Sequence, residues 1–154
     1  PRERVTWYAA VAFTRWLSAK TSVSITLPTE QQWQRAAQGD DGRGYPWGNE
    51  WDARKCNTAE IKIGKTTPVT QYPQGASPYG VLDMSGNVWE WCLTDWKTGE
   101  VDLSGINARR VVRGGSWFSH QDLARAAFRY YFNPFDRFAR IGFRVCASPI
   151  FLNH

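Results

Sequence analysis

At 154 residues the chain is long enough for one domain with a real core and short for two, and 42% hydrophobic against 21% charged residues is the balance of a globular fold. No run of about 18 apolar residues occurs, which excludes a membrane-spanning helix, and with no leader pattern visible at Pro1 a cytoplasmic location is the favoured expectation. The net charge of +5 gathers late, with eight Arg against Asp122 and Asp136 over 105–145, yet these arginines stand singly among small and aromatic residues without Lys, so a nucleic-acid interface is not expected.

Thr6 is placed to cap a first helix running to about residue 19, with Ala9, Phe13, Trp16 and Leu17 recurring on one face. A short extended stretch over 24–27 follows. The sequence Pro28-Thr29-Glu30-Gln31-Gln32 then reads as a capping box, Thr29 at the N-cap and Gln32 at N3, opening a helix that stops at Gly39 and buries Trp33, Ala36 and Ala37. From 40 to 80 the chain is rich in Gly, Pro, Asn and Thr with Tyr45, Trp47, Trp51 and Tyr72 among them, which predicts ordered coil pinned by aromatics. Strands are predicted at 88–92, 110–113, 124–131 and 141–147, the last with Ile141, Phe143 and Val145 on one face and Gly142 and Arg144 on the other. Two helices, long coil and a small antiparallel sheet make an α+β domain, read as one unit over 1–154.

The segment from Arg113 to Val145 carries most of the functional information. Between Trp117 and Phe138 lie Phe118, Phe128, Tyr130, Tyr131, Phe132 and Phe135, interleaved with Arg125, Arg129 and Arg137. A half-buried strand alternates apolar and polar residues, whereas Tyr130, Tyr131 and Phe132 run consecutively into Asn133-Pro134, which favour a turn. Rings clustered beside arginine have the composition of a contact surface. Phe128 and Phe143 are read as core, and Tyr130 to Phe138 as a binding face.

The ordered series LPTEQQWQRAAQG, YPWGNEWDARKCN, TPVTQYPQGASPYGVLDMSGNVWEWCLTDW, RRVVRGGSW and IGFRV resembles the formylglycine-generating, sulfatase-modifying enzyme family over nearly the whole chain. The resemblance implies a variant of the C-type lectin fold. It also implies a further N-terminal portion ahead of the first helix, so the chain is expected to be a trimmed version or a piece. That family's oxidation of a substrate cysteine to formylglycine uses copper on two cysteines after the RGGS turn, and soft thiolates suit Cu(I). Ser119 and Ala124 stand at those two positions here, so no copper is expected. Related iron-dependent sulfoxide synthases use several histidines, and this chain has only His120 and His154.

A second resemblance is to the variable proteins of diversity-generating retroelements, which are built on the same fold and end in a segment bracketed by RGGSW and IGFRV. In these, adenines of AAY template codons are randomised, which admits Phe, Tyr, Ser, His, Asp, Ala, Arg and Asn and excludes Trp, Lys, Gln, Glu and Met. Phe118, Ser119, His120, Phe128, Tyr130, Tyr131, Phe132, Asn133, Asp136, Phe138 and Ala139 all fall inside the permitted set. With Phe135 they form the candidate ligand-binding residues, and Arg125, Arg129, Pro134 and Arg137 are the scaffold between them. The expected function is a noncatalytic module that displays this surface to a protein or other macromolecule. A copper-dependent formylglycine oxidase is the alternative, and a structural or sensor domain of a larger protein is the second alternative.

In DMSGNVWEW the resemblance suggests a structural Ca²⁺ site from the Asp83 and Glu90 carboxylates with main-chain oxygens of Gly86 and Val88. The plainer reading, preferred here, makes Gly86-Asn87 a turn and pairs Glu90 with an arginine. At the family's other calcium site only Asn57 matches, its acidic partner falling near Ile61. Cys56, Cys92 and Cys146 lie far apart with no C-x-x-C pair and are read as buried thiols, neither zinc ligands nor a disulfide framework.

Overall fold

The computed structural model describes residues 1–103, 105 and 108–148. Helix α1 spans Trp7–Thr21, its first turn capped by the Thr6 hydroxyl, which accepts from the Ala9 amide. Strand β1 (Ser24–Thr26) leads to α2 (Glu30–Gln38), where both halves of the Thr29–Gln32 capping box form. Strands β2 (Trp89–Asp95), β3 (Arg110–Arg113), β4 (Arg129–Phe132), β5 (Ile141–Gly142) and β6 (Cys146–Ser148) follow the long coil. Four of them make a sheet in the order β4-β3-β2-β5, and β1 pairs with β6 in a separate two-stranded sheet.

The two helices lie on opposite faces of the main sheet. Trp7, Ala10 and Val11 of α1 pack with Trp89, Trp91, Val112 and Ile141 on one side. Trp33 and Ala37 of α2 pack with Cys92, Val111, Met84 and Ala126 on the other. Strand β2 therefore takes large apolar residues at successive positions, since both of its faces are covered. The helix stripe differs from the expected one. Trp7, Ala10, Val11 and Thr14 are buried, whereas Ala9 is exposed, Leu17 half-buried and Trp16 53% exposed. The helix is apolar on two flanks, and a tertiary bond chooses between them: Trp7 Nε1 donates to the Cys92 carbonyl at 2.9 Å, while Thr14 can be buried because its hydroxyl donates within the helix to the Val11 carbonyl. Phe13 and Trp16 instead lie against each other, with Phe143 beside Phe13.

Three strand expectations are corrected. The predicted 124–131 strand shortens to β4, because Gln121–Ala124 is a 3-10 turn and the Ala126 amide is drawn away to the Gly44 carbonyl. The predicted 141–147 strand divides, β5 pairing with β2 in parallel and β6 antiparallel with β1. The sheet is thus mixed rather than wholly antiparallel, and the alternation fails at Val145, which is exposed, while Arg144 turns inward. In the 40–80 coil the pinning is as expected for Tyr45, which is buried and stacked on Trp47 at 5.4 Å. Among the described residues no helix is long and apolar enough to cross a membrane. His154 lies outside the described residues.

Candidate functional site

The last third of the chain is fastened at its root by the RGGS turn. Gly114 and Gly115 both have positive φ, 92° and 74°. A β-carbon on Gly114 would come 3.0 Å from the Trp33 ring, and one on Gly115 would come 3.1 Å from the backbone of Ala124, so only glycine allows the approach. Ser116 then bonds Ser119: the Ser119 Oγ accepts from the Ser116 amide at 3.1 Å and lies 3.0 Å from its hydroxyl. Trp117 is tied by its amide to the Asn87 carbonyl and by Nε1 to the Ala139 carbonyl. The two ends of the aromatic segment are thereby held together.

Beneath this segment lies a charge network that sequence reading missed. Glu30, at the first position of α2, accepts from Arg113 Nη1 at 2.6 Å and from Arg129 Nε and Nη2 at 2.8 and 2.7 Å. Its place 83 and 99 positions before its two arginine partners leaves no local signal, and only the packing of α2 on β3 and β4 reveals it. Pro134 is buried and its carbonyl accepts the Trp7 amide at 3.0 Å, which anchors the far end. Arg129 and Pro134 are scaffold in this sense. Arg125 meets the Tyr45 hydroxyl and Asp122, and both Arg125 and Asp122 are exposed, as is Arg137.

The consecutive Tyr130-Tyr131-Phe132 has a direct cause in the fold. Strand β4 is the edge of a sheet covered on both sides, so its rings lean over both cores: Tyr130 toward Trp89 (6.0 Å), Phe132 toward Trp91 (6.2 Å), and Tyr131 toward Trp96 (4.9 Å). The cover ends there, and the rings stay partly in water. Phe118 is 63%, Phe135 55%, Tyr130 44% and Phe138 44% exposed. Ring contacts run Phe138–Phe132–Tyr130–Tyr131 at 5.7, 5.5 and 5.3 Å, with Phe135 on Tyr8 at 5.0 Å. Arg109 lies over Tyr131 at 4.6 Å and Arg140 over Phe118 and Phe138. Tyr8, Trp96, Arg109 and Arg140 thus join a band that the sequence pattern confined to 118–139.

The remaining candidates divide. His120 and Asn133 are exposed; His120 Nδ1 lies 3.4 Å from Glu60 Oε1, and Asn133 closes a turn with Phe135 and Asp136. Ala139 is half-buried, and Phe128 is half-buried against Trp89. Ser119 is a correction: at 5% exposure, with its hydroxyl spent on Ser116, it faces inward and cannot meet a ligand. Ala124, at the other copper-ligand position, is fully buried and its carbonyl accepts from Ser85 Oγ. Burial pushes the Cys56 thiol up to about 12 and raises that of Cys92 as well, so neither is a thiolate at neutral pH.

The implied calcium set does not fit as arranged. Both Glu90 oxygens are engaged, by Arg144 Nε at 2.5 Å and Nη2 at 2.9 Å and by Trp33 Nε1 at 2.6 Å. The same guanidinium reaches the carbonyls of Leu82 and Asp83, so a cation already neutralises this side of the turn. Among the described residues no three His, Cys, Asp or Glu gather closely enough for a metal. Among the described residues the Asp83 carboxylate accepts from the side-chain amide of Asn87, and burial, partly offset by that bond, pushes its carboxyl from 3.8 up to about 6. The folded state therefore binds the Asp83 proton more tightly than the unfolded chain, and this group's contribution falls as pH rises from about 4 through 6. Asp83→Asn is expected to flatten the stability profile over that window and to raise the melting temperature at pH 7. Thermal melts at a series of pH values check this, and an unchanged slope would contradict it.

The fold is that of a lectin-like scaffold whose loop-rich last third carries a contiguous group of exposed aromatic side chains. The chain belongs to the sulfatase-modifying factor enzyme 1-like domain family, which matches residues 1–149. It is 35% identical to the formylglycine-generating enzyme of Thermomonospora curvata over 97% of this chain and 56% of that relative. It is 32% identical to the inactive C-alpha-formylglycine-generating enzyme 2 of Bos taurus, over 96% of this chain and 50% of that protein. The chain thus spans about half the length of these relatives. Among solved structures, Treponema denticola variable protein 1 superposes with a TM-score of 0.84 at 25% identity, covering 97% of this chain and 71% of that one.

Proposed function

We propose that this chain is a noncatalytic ligand-binding module whose aromatic band, Phe118, Tyr130, Tyr131, Phe135 and Phe138, meets a protein or other macromolecule. The observation that carries the reading is that four large rings are exposed on backbone held by the RGGS turn, by Pro134 and by the Trp117–Ala139 bond that joins the two ends of the segment. Rings with few rotatable bonds on a rigid scaffold lose little entropy on binding. Two further facts support it. The copper-ligand positions hold a hydrogen-bonded serine and a buried alanine, and both a relative named inactive and a structural neighbour named a variable protein share the fold.

The finer part of the reading is that the segment is diversified at adenines. Sequencing the gene's surroundings in independent isolates is expected to find a template repeat and a reverse transcriptase, with substitutions restricted to codons such as those of Phe118, Tyr130 and Phe138. Their absence removes diversification while leaving the module. Incubation with copper, oxygen and a cysteine-containing peptide is expected to yield no aldehyde, because no soft donor pair is available for Cu(I). Aldehyde formation would favour the oxidase alternative.

A further inference from the structure

The eight arginines of 105–145 sort by what their guanidinium groups touch. Arg113 and Arg129 hold Glu30, Arg144 holds Glu90, and Arg125 faces Asp122. Arg110 donates to the carbonyls of Leu93 and Asp102. Arg137 is exposed, and Arg109 lies over the Tyr131 ring at 4.6 Å; Arg140 is set against two rings at once. Its guanidinium carbon lies 5.4 Å from the centre of the Phe118 ring and 5.3 Å from that of Phe138, and no described residue offers it an ion pair or accepts a hydrogen bond from its side chain. Its backbone is fixed, since the carbonyl accepts the Trp89 amide at 2.8 Å.

Aromatic rings attract a guanidinium through their electron-rich faces and do not consume its in-plane N–H donors. A guanidinium steadied by two rings, with its donor fork unspent, is prepared for a planar acceptor that can take two parallel hydrogen bonds. The acids of the same segment do not supply one: Asp122 faces Arg125, and Asp136 accepts from the Asn133 amide. The two rings that hold Arg140 are themselves exposed, Phe118 at 63% and Phe138 at 44%, so a group reaching the fork would lie against apolar surface.

Resting on the ligand-binding reading above, we infer that the ligand is a protein presenting a carboxylate, from Asp, Glu or a chain terminus, that seats on Arg140 while its apolar neighbours cover Phe118 and Phe138. A protein acid is favoured over a nucleic-acid backbone by charge supply. Tight backbone tracking draws on roughly 6–10 phosphate contacts, and five of the eight arginines here are committed to partners within the protein. The contact is charge-assisted and partly shielded by the rings, so it discriminates acid from amide.

A display library of random peptides selected on the protein supplies the probe. Recovered peptides are expected to place Asp or Glu beside an aromatic or aliphatic residue. Changing that acid to its amide in the peptide should weaken binding about tenfold or more to the unmodified protein, and leave binding to Arg140→Gln unchanged. Arg140→Lys, which keeps the charge and loses the fork, should recover only part of the difference, with melting temperatures of both variants matching the parent. Peptides lost on Phe118→Ala or Phe138→Ala but showing no acidic preference overturn this inference and leave the binding face standing. Peptides indifferent to Phe118→Ala, Tyr130→Ala and Phe138→Ala overturn both. Arg140-dependent capture of a single-stranded oligonucleotide in place of acidic peptides overturns it in favour of nucleic acid.

Discussion

Glu30→Gln is expected to lower the unfolding free energy by about 3–5 kcal/mol, read as a lower urea midpoint with an unchanged m-value. Arg113 is 1% exposed at its side chain, and its Nε has no hydrogen-bond partner among the described residues, so its charge is held in a place that burial makes costly. Burial indeed pulls its pKa down, with Glu30 acting in the opposite direction. Glutamine keeps the shape and one acceptor but removes the one carboxylate among the described residues that faces both Arg113 and Arg129. Two guanidinium groups would then confront each other without an anion. Losing Arg129 alone should cost about 1 kcal/mol or less, because its side chain is 40% exposed and water takes over. A Glu30→Met, Arg113→Met double replacement is expected to regain much of the loss, since an apolar pair leaves no orphan charge. If Glu30→Gln melts with the parent, the network is not what positions β4.

Gly86→Ala is expected to be similarly damaging, at about 3 kcal/mol or more, because overpacking and a left-handed backbone are penalised together. Gly86 has φ of 78°, and a β-carbon there would fall 2.2 Å from the Asn57 carbonyl oxygen. That oxygen accepts the Asn87 amide at 2.8 Å, and the Gly86 amide donates to Gly114 at 2.7 Å, so no neighbour can give way without releasing a bond. The loss should reach the aromatic face as well. Asn87 offers its carbonyl to the Trp117 amide, and the turn is the floor on which the RGGS segment stands. Chemical denaturation measures the first effect, and loss of peptide binding at temperatures where the variant remains folded measures the second. Alanine tolerated without a stability change would show that the turn relaxes easily.

Local chemistry was legible wherever a residue's role is settled within a few positions. The capping box of α2, the Thr6 cap of α1 and the glycine turn before Trp117 are of this kind, because each depends on backbone groups of its own neighbourhood. The pairing of Glu90 with an arginine was also foreseeable, since a carboxylate between two tryptophans in a strand needs a cation. Its identity as Arg144 was not, because that residue sits 54 positions away in a stretch whose alternation predicted it outward. The α1 stripe was misread for a related reason: two apolar flanks give two acceptable faces, and only the Trp7–Cys92 bond selects one.

The candidate ligand surface shows the same division. Composition alone marked Phe118, Tyr130, Phe135 and Phe138, since arginine and aromatics crowded between two fixed motifs imply a shared purpose. Which of the twelve candidates reach solvent was a question of register. Ser119 faces inward because a hydroxyl three residues from Ser116 finds its partner there, while Phe118, the preceding residue, points to water.

From its sequence by itself this chain fixed its caps, its turns, its family and the stretch where aromatic residues and arginines crowd together, all properties of residues close in the chain. The tertiary structure alone decided which helix face is buried, that a glutamate at the start of α2 supports the arginines of β3 and β4, and that Arg140 is left with an open donor fork beside two exposed rings. Those outcomes depend on pairings between residues up to about a hundred positions apart. Charge and packing energies act through space, and the linear order of residues records the distance along the chain only.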